Sequence, residues 1–139
     1  MKKFGYRPKG EVTEQTKRVS SKLYGAVNIK GKTTRPGPYS AACDDPDETF
    51  QIRHSWSIYG VPFATLEKGF YRLRDKLPEE GWKIARQGRE KSKAHDRYVE
   101  YEHDNYKHGV RVILFERTEE SPNPAGLHFD VASACYSSK

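Results

Sequence analysis

The second half of the chain is dominated by four short apolar segments separated by polar turns. They are Trp82–Ala85, 97–103, Val110–Phe115 and the segment from Leu127 to Cys135. In the last of these, apolar or small residues occupy every second position, a period that is typical of a strand with one buried face. Consecutive strands joined by short turns usually pair antiparallel. The pattern therefore predicts an antiparallel sheet.

Three further segments precede this group. Residues 11–28 and 63–77 carry apolar side chains at helical spacing, which predicts two amphipathic helices. Residues 51–59 alternate between apolar and polar positions, which predicts a half-buried strand. On that strand His54 and Trp56 share the apolar face, together with two isoleucines.

The order of these segments predicts an α+β domain of two layers, with two helices packed on one face of an antiparallel sheet of four to five strands. Strand 51–59 lies either at an edge of that sheet or beside the strand at Trp82. The 139 residues suffice for one domain, which we place at 11–139, with a long loop at 29–50 that is rich in Gly, Pro, Ser, Thr and Asp. We expect residues 1–10 to form a flexible basic tether.

The composition excludes two classes of protein. Aromatic residues make up 12% of the chain, too many for a disordered protein, and no apolar run approaches the roughly 20 residues that span a bilayer. The net charge is +6, and residues 1–40 alone carry +8. Such an asymmetry favours attraction to polyanions, which include nucleic acid, anionic lipid head groups and anionic wall polymers. A solvated basic surface is the simpler interpretation.

Cys43 and Cys135 are the only cysteines. They are two buried thiols, or include a catalytic thiol, or form one disulfide. We favour the disulfide, because it would fix a Pro- and Asp-rich segment to the last strand across about 92 residues, worth on the order of 4–5 kcal/mol in the chain-entropy model. A disulfide would indicate an oxidising, exported setting.

Two groups of side chains are candidates for binding. Aromatic rings beside hydroxyl groups can hold sugars or peptides, and this first group comprises Arg53, His54, Trp56, Tyr59 and Trp82. Basic residues interleaved with aromatics suit single-stranded nucleic acid or another polyanion. This second group lies in the segment 83–97, most of which we expect to be a basic loop, and comprises Lys83, Arg86, Arg89, Lys91, Lys93 and Arg97. For the aromatic group the simpler role is packing in the core, and for the basic group it is a solvated surface.

The sequence lacks the motifs of the common enzyme classes. A phosphate loop, a dinucleotide fingerprint, zinc-ligand spacing and a serine elbow are all missing. We therefore predict no catalytic residue, no metal site and no cofactor. His54 and His103 fall on apolar faces of two strands and could meet in space, which leaves a small hydrolase or a metal-dependent enzyme as an alternative.

Three segments together resemble a known group of proteins. They are Arg53-His54-Ser55-Trp56-Ser57-Ile58-Tyr59-Gly60-Val61, Leu73-Arg74-Asp75-Lys76-Leu77-Pro78-Glu79-Glu80-Gly81-Trp82-Lys83-Ile84 and Val131-Ala132-Ser133-Ala134-Cys135-Tyr136. In that order, with a cysteine before the first, they resemble small actinobacterial exported proteins, often predicted lipoproteins, of uncharacterised function. The resemblance covers roughly residues 5–137 and implies that Cys43 and Cys135 are bridged. It supplies no catalytic residues.

The favoured disulfide, the basic N-terminal segment and the lack of a catalytic motif predict an exported, cell-envelope-associated binding or scaffolding domain, in keeping with the resemblance. Its partner would be an unidentified envelope component or protein, or an anionic polymer. Members of the group carry an N-terminal leader and a lipid-bearing cysteine, whereas residues 1–10 do not read as a signal peptide. We expect an exported chain to have lost its leader. The alternative is a polyanion or single-stranded nucleic-acid binder that uses the basic segment 83–97.

Overall fold

Two helices and an antiparallel sheet make up the described part of the chain, as the sequence predicts. The computed structural model describes residues 5–34, 36–43, 49–118, 121 and 123–137. The helices are α1 (Lys9–Val27) and α2 (Phe63–Lys76), the latter followed by a 3-10 turn at Leu77–Glu80. The strands are β1 (Lys32–Thr33), β2 (Tyr39–Ala42), β3 (Thr49–Tyr59), β4 (Lys83–Arg89), β5 (Arg97–His103), β6 (His108–Phe115), β7 (Gly126–Ser133) and β8 (Tyr136–Ser137).

The sheet is larger than predicted. Within the described residues it has eight strands in the order β1-β3-β7-β6-β5-β4, with β2 and β8 also paired to β3, so the expectation of four to five strands was wrong. The additional strands β1, β2 and β8 span only two to four residues each. Segments that short cannot show the two-residue periodicity by which a strand is recognised in a sequence.

The strand predicted at 51–59 lies inside the sheet. One edge of β3 pairs with β7 from Arg53 to Tyr59 and then with β8. Its other edge pairs with β1 and β2, which lie within the predicted loop 29–50. β3 therefore stands next to β7 and far along the strand order from β4, so it is not beside the strand at Trp82.

The first helix and the strand at Trp82 differ from their predicted boundaries by a few residues. α1 begins at Lys9, and Tyr6 forms a β-bridge with Ser137, so the described part of the predicted tether is attached to the domain. The strand predicted at Trp82–Ala85 extends through Arg89 as β4, which is exposed along its whole length and forms an edge of the sheet. The basic loop expected over most of the segment 83–97 accordingly begins only after Arg89.

The helices pack on one face of the sheet and bury a single main core. The helices contribute Val19, Leu23, Ala26, Val27, Leu66, Phe70 and Leu73, and the sheet contributes Trp56, Ile58, Val99, Tyr101, Val110, Val112, Leu114, Leu127, Phe129 and Val131. The strand residues alternate along each strand, so one face of the sheet is buried under the helices. The predicted two-layer arrangement is confirmed.

Cys43 and Cys135 form the predicted disulfide, with their Cα atoms 6.4 Å apart. Cys43 follows β2, and Cys135 lies between β7 and β8. The bond thus joins the chain on one edge of β3 to the chain on its other edge. A disulfide is typical of proteins that fold in an oxidising compartment.

The buried His108 predicts a pH-dependent stability. Its side chain is held between Thr16, 2.8 Å from Nε2, and the carbonyl of Tyr106, which accepts from Nδ1 at 2.7 Å. Burial, aided by the positive charge of Arg7 and by His103, lowers the pKa of His108 below its ordinary 6.5. The unfolded chain therefore binds a proton more readily, and stability is lost as the pH falls from above 6.5 through the folded-state pKa.

We expect the free energy of unfolding, measured by urea titration, to fall between pH 7.5 and pH 5, and the fall to be smaller in a His108→Gln variant. A variant that matches the wild-type pH profile would contradict this assignment. The Asp130 carboxyl does not confound the test. Hydrogen bonds from His128 and Ser55 lower its pKa below the ordinary 3.8, so its contribution is lost only at more acidic pH.

Candidate functional site

A groove of about 450 Å³ opens along one side of α1, between the helix and the chain that leads into β2. It is lined by Lys17, Ser20, Ser21, Tyr24, Thr33, Thr34, Pro36, His54 and Trp56. We call it the α1 groove. Its residues come from three parts of the chain, α1, the β1 segment and β3, so the site exists only in the folded protein.

The helical wall of the α1 groove is a polar stripe beside the apolar face of α1. Lys17, Ser20, Ser21 and Tyr24 follow the spacing i, i+3, i+4 and i+7, which places them on one side of a helix. The opposite wall is fixed to β3, since Thr34 and Ser57 are joined by two hydrogen bonds of 2.9 and 3.1 Å. The groove is therefore held open between two anchored walls.

The floor of the α1 groove is aromatic. Trp56 stacks on Phe129 with ring centroids 4.0 Å apart and an interplanar angle of 7°. Tyr24 meets the edge of Trp56 at 6.1 Å and remains 42% exposed. An exposed aromatic ring above a buried one offers an apolar surface to a ligand, with the hydroxyls around it as hydrogen-bonding partners.

A hydrogen-bonded chain crosses the α1 groove. Ser20 Oγ lies 2.7 Å from His54 Nδ1, and His54 Nε2 lies 2.9 Å from the carbonyl oxygen of Pro36. The indole Nε1–H of Trp56 donates to Ser20 Oγ at 3.3 Å. Since a carbonyl oxygen only accepts, His54 carries its proton on Nε2, and Nδ1 accepts from the Ser20 hydroxyl.

Lys17 is the one charged lysine or arginine in the lining of the α1 groove, and the carboxylate of Glu14 lies 3.6 Å from its ammonium group. The nine lining residues include no carboxylate. Between Gln15 and Ala42 the sequence has six basic residues and no Asp or Glu. The lining therefore offers an anionic ligand one ammonium group and no carboxylate, within a stretch of sequence that is rich in basic residues.

The structure brings two of the five predicted ligand-binding residues together. His54 and Trp56 lie in the α1 groove. Arg53 and Tyr59 point to the opposite face of β3, since side chains alternate along a strand. Trp82 lies in a separate cavity of about 360 Å³ between the end of α1 and the 3-10 turn.

The six basic residues predicted to bind a polyanion do not form one surface. Lys83 and Arg86 pair with Asp104 and Glu100. Arg97 lies on the helix side of the sheet, where it pairs with Glu67 at 2.9 Å. Arg89, Lys91 and Lys93 are exposed near the β4–β5 turn. Arg89 donates a hydrogen bond to the carbonyl of His95.

The two histidines considered for an enzyme have separate partners. His54 belongs to the α1 groove, whereas His103 stacks on Tyr106 with centroids 3.8 Å apart and bonds the carbonyl of Glu80. Among the residues that the structure describes, no cluster of three or more His, Cys, Asp or Glu could hold a metal ion.

A second serine–histidine array lies on the outer face of the sheet, away from the helices. Ser57 Oγ is 2.7 Å from His128 Nδ1, and His128 Nε2 is 3.1 Å from Asp130 Oδ1, which also accepts from Ser55 at 2.6 Å. All four side chains come from the paired strands β3 and β7. None of the cavities described above contains them.

Comparison with known proteins identified no relative of this chain. No family model, no curated protein and no solved structure matches the chain. In the described ranges, no helix is both long enough and apolar enough to cross a bilayer.

Proposed function

We propose that the protein is an exported binding domain of the cell envelope, and that it holds a short anionic, hydroxyl-rich segment of an envelope polymer in the α1 groove. The observation that carries the proposal is the lining of that groove, which combines hydroxyls, an imidazole, one ammonium group and two aromatic rings. The disulfide between Cys43 and Cys135 supports the exported setting.

Each component of the groove has a use toward such a ligand. The hydroxyls of Ser21, Thr33 and Thr34 can exchange hydrogen bonds with ligand hydroxyls, and the exposed ring of Tyr24 can pack against a sugar face. Lys17 can reach a ligand anion, because its pair with Glu14 is long, at 3.6 Å, and exposed, and such pairs contribute little. The basic surface around the groove would raise the rate of encounter.

The test uses three tetramers of defined chemistry. Tetragalacturonate is anionic and hydroxyl-rich, maltotetraose is its uncharged counterpart, and tetraglutamate is anionic without sugar hydroxyls. We expect tetragalacturonate to bind most tightly, with weaker binding at higher salt, and to shift the Trp56 indole N–H resonance, since that group lies in the groove floor.

Two variants locate the binding site. Lys17→Ala and Tyr24→Ala should each weaken tetragalacturonate binding by about tenfold or more, as expected for losing a charged hydrogen bond or an aromatic contact. The control is Lys91→Ala/Lys93→Ala, which removes more charge at the β4–β5 turn. Weaker binding in the control alone would instead favour the basic segment 83–97 as a polyanion site. Resonance shifts confined to Trp82 would also contradict the proposal.

A further inference from the structure

The hydroxyl of Ser20 combines near-complete burial with a position at the α1 groove. Its residue is 6% exposed, yet it lines the α1 groove. It lies 2.7 Å from Nδ1 of His54. Thr16, one turn earlier, makes a similar contact of 2.8 Å with Nε2 of His108, but it is fully buried and is not among the residues that line the groove.

The surroundings of this pair match the requirements of an activated nucleophile. The imidazole Nδ1 accepts a hydrogen bond from the Ser20 hydroxyl. The other ring nitrogen, Nε2, donates to the Pro36 carbonyl at 2.9 Å, and this bond fixes the tautomer and the orientation of the ring. A nucleophile bonded to a base that a third group orients is the recurring arrangement of covalent hydrolases. The Trp56 indole N–H donates to Ser20 Oγ at 3.3 Å and helps to fix the position of that oxygen beside the imidazole.

We infer that Ser20 and His54 form a nucleophile–base pair that cleaves small acyl esters in the α1 groove. Ser20 Oγ attacks the acyl carbon as its proton passes to His54 Nδ1. The ester C–O bond then breaks, and the leaving alcohol takes that proton. Water then attacks the acyl carbon as its proton passes to the same Nδ1, the Oγ–C bond breaks, and that proton passes to Oγ as the carboxylic acid leaves. Lys17, Ser21 and Thr33 line the groove around this point and can donate to the carbonyl oxygen.

This activity goes beyond the proposed binding function and is tested without the polymer. The probes are a fluorophosphonate, whose P–F bond is replaced by an Oγ–P bond with loss of fluoride and a proton, and p-nitrophenyl acetate. We expect a single adduct by intact mass, assigned to Ser20 by peptide mapping, and acetate release that depends on the same residue. The labelling rate should fall on acidification, because a protonated Nδ1 cannot accept the serine proton.

Four variants separate chemistry from structure. Ser20→Ala should abolish labelling. His54→Asn keeps an oxygen that can accept from Ser20 but cannot act as a base, and it should slow labelling by 100-fold or more. Ser40→Ala, on β2 and outside the lining of the α1 groove, and Ser57→Ala, which removes the serine of the outer-face array 2.7 Å from His128, should both label like the wild type.

Three results would overturn the inference. They are no adduct on the folded wild-type chain, an adduct on Ser57 or another serine, and a His54→Asn rate within a few fold of the wild type. Tetragalacturonate binding that persists with an unreactive Ser20 would leave the binding proposal in place. Labelling of Ser20 in a chain that does not bind tetragalacturonate would support the esterase inference and contradict the binding proposal.

Discussion

Replacing Cys43 and Cys135 by serine is expected to lower the free energy of unfolding by about 4–5 kcal/mol. The bridge closes a loop across 92 residues, and removing so large a cross-link restores much conformational entropy to the unfolded chain. A whole domain is stable by only about 5–15 kcal/mol. The melting temperature should therefore drop by roughly 10–20 °C, as calorimetry would show.

Reduction provides the control for this variant. A reductant should bring the wild-type melting temperature down to that of the double variant and leave the variant itself unchanged. We also expect amide exchange to accelerate first in β2 (Tyr39–Ala42), since these four residues would retain only their pairing with β3. A double variant within 1 kcal/mol of the wild type would show that the bridge contributes little.

The second large effect is expected at Phe129. Its side chain is fully buried and stacks on Trp56 beneath the α1 groove. Phe129→Ala should cost about 3–5 kcal/mol, because it leaves a cavity in the core. It should also remove the support of the groove floor, so tetragalacturonate binding should weaken at temperatures where the variant is still folded.

Leu73→Ala is the matched control for Phe129→Ala. Leu73 is equally buried in the same core but belongs to α2 and does not line the groove. Its truncation should cost about 2–5 kcal/mol, while binding below the melting temperature stays close to that of the wild type. If both variants lost binding equally, the Trp56–Phe129 stack would have no special role in the groove.

The parts of the fold with a buried face could be predicted from the sequence. The alternation at 51–59 placed His54 and Trp56 on one side of a strand, and both lie on the helix side of β3. β4 (Lys83–Arg89) has no buried face, so its residues carry no alternation that would mark its length. The same holds for the two-residue strands, which exist only because β3 pairs with them.

The sequence predicted the β3 residues of the candidate site, His54 and Trp56, but not its α1 residues. The polar stripe at Lys17, Ser20, Ser21 and Tyr24 has helical spacing and could have been noticed as a second face of α1. Its relation to His54, 34 residues away from Ser20 in the chain, depends on how α1 crosses β3. No local pattern encodes such a long-range contact, which is why Ser20 was missed.

The exposed strand β4 has a consequence for the protein at high concentration. A free strand edge can recruit the same edge of another copy and start polymerisation. Here Lys83, Arg86 and Arg89 place like charges along that edge, and the pairing register with β5 shifts between Ile84 and Arg86. Long charged side chains and an irregular backbone are features that disfavour edge-to-edge pairing of two copies, so this open side of the sheet is protected against self-association.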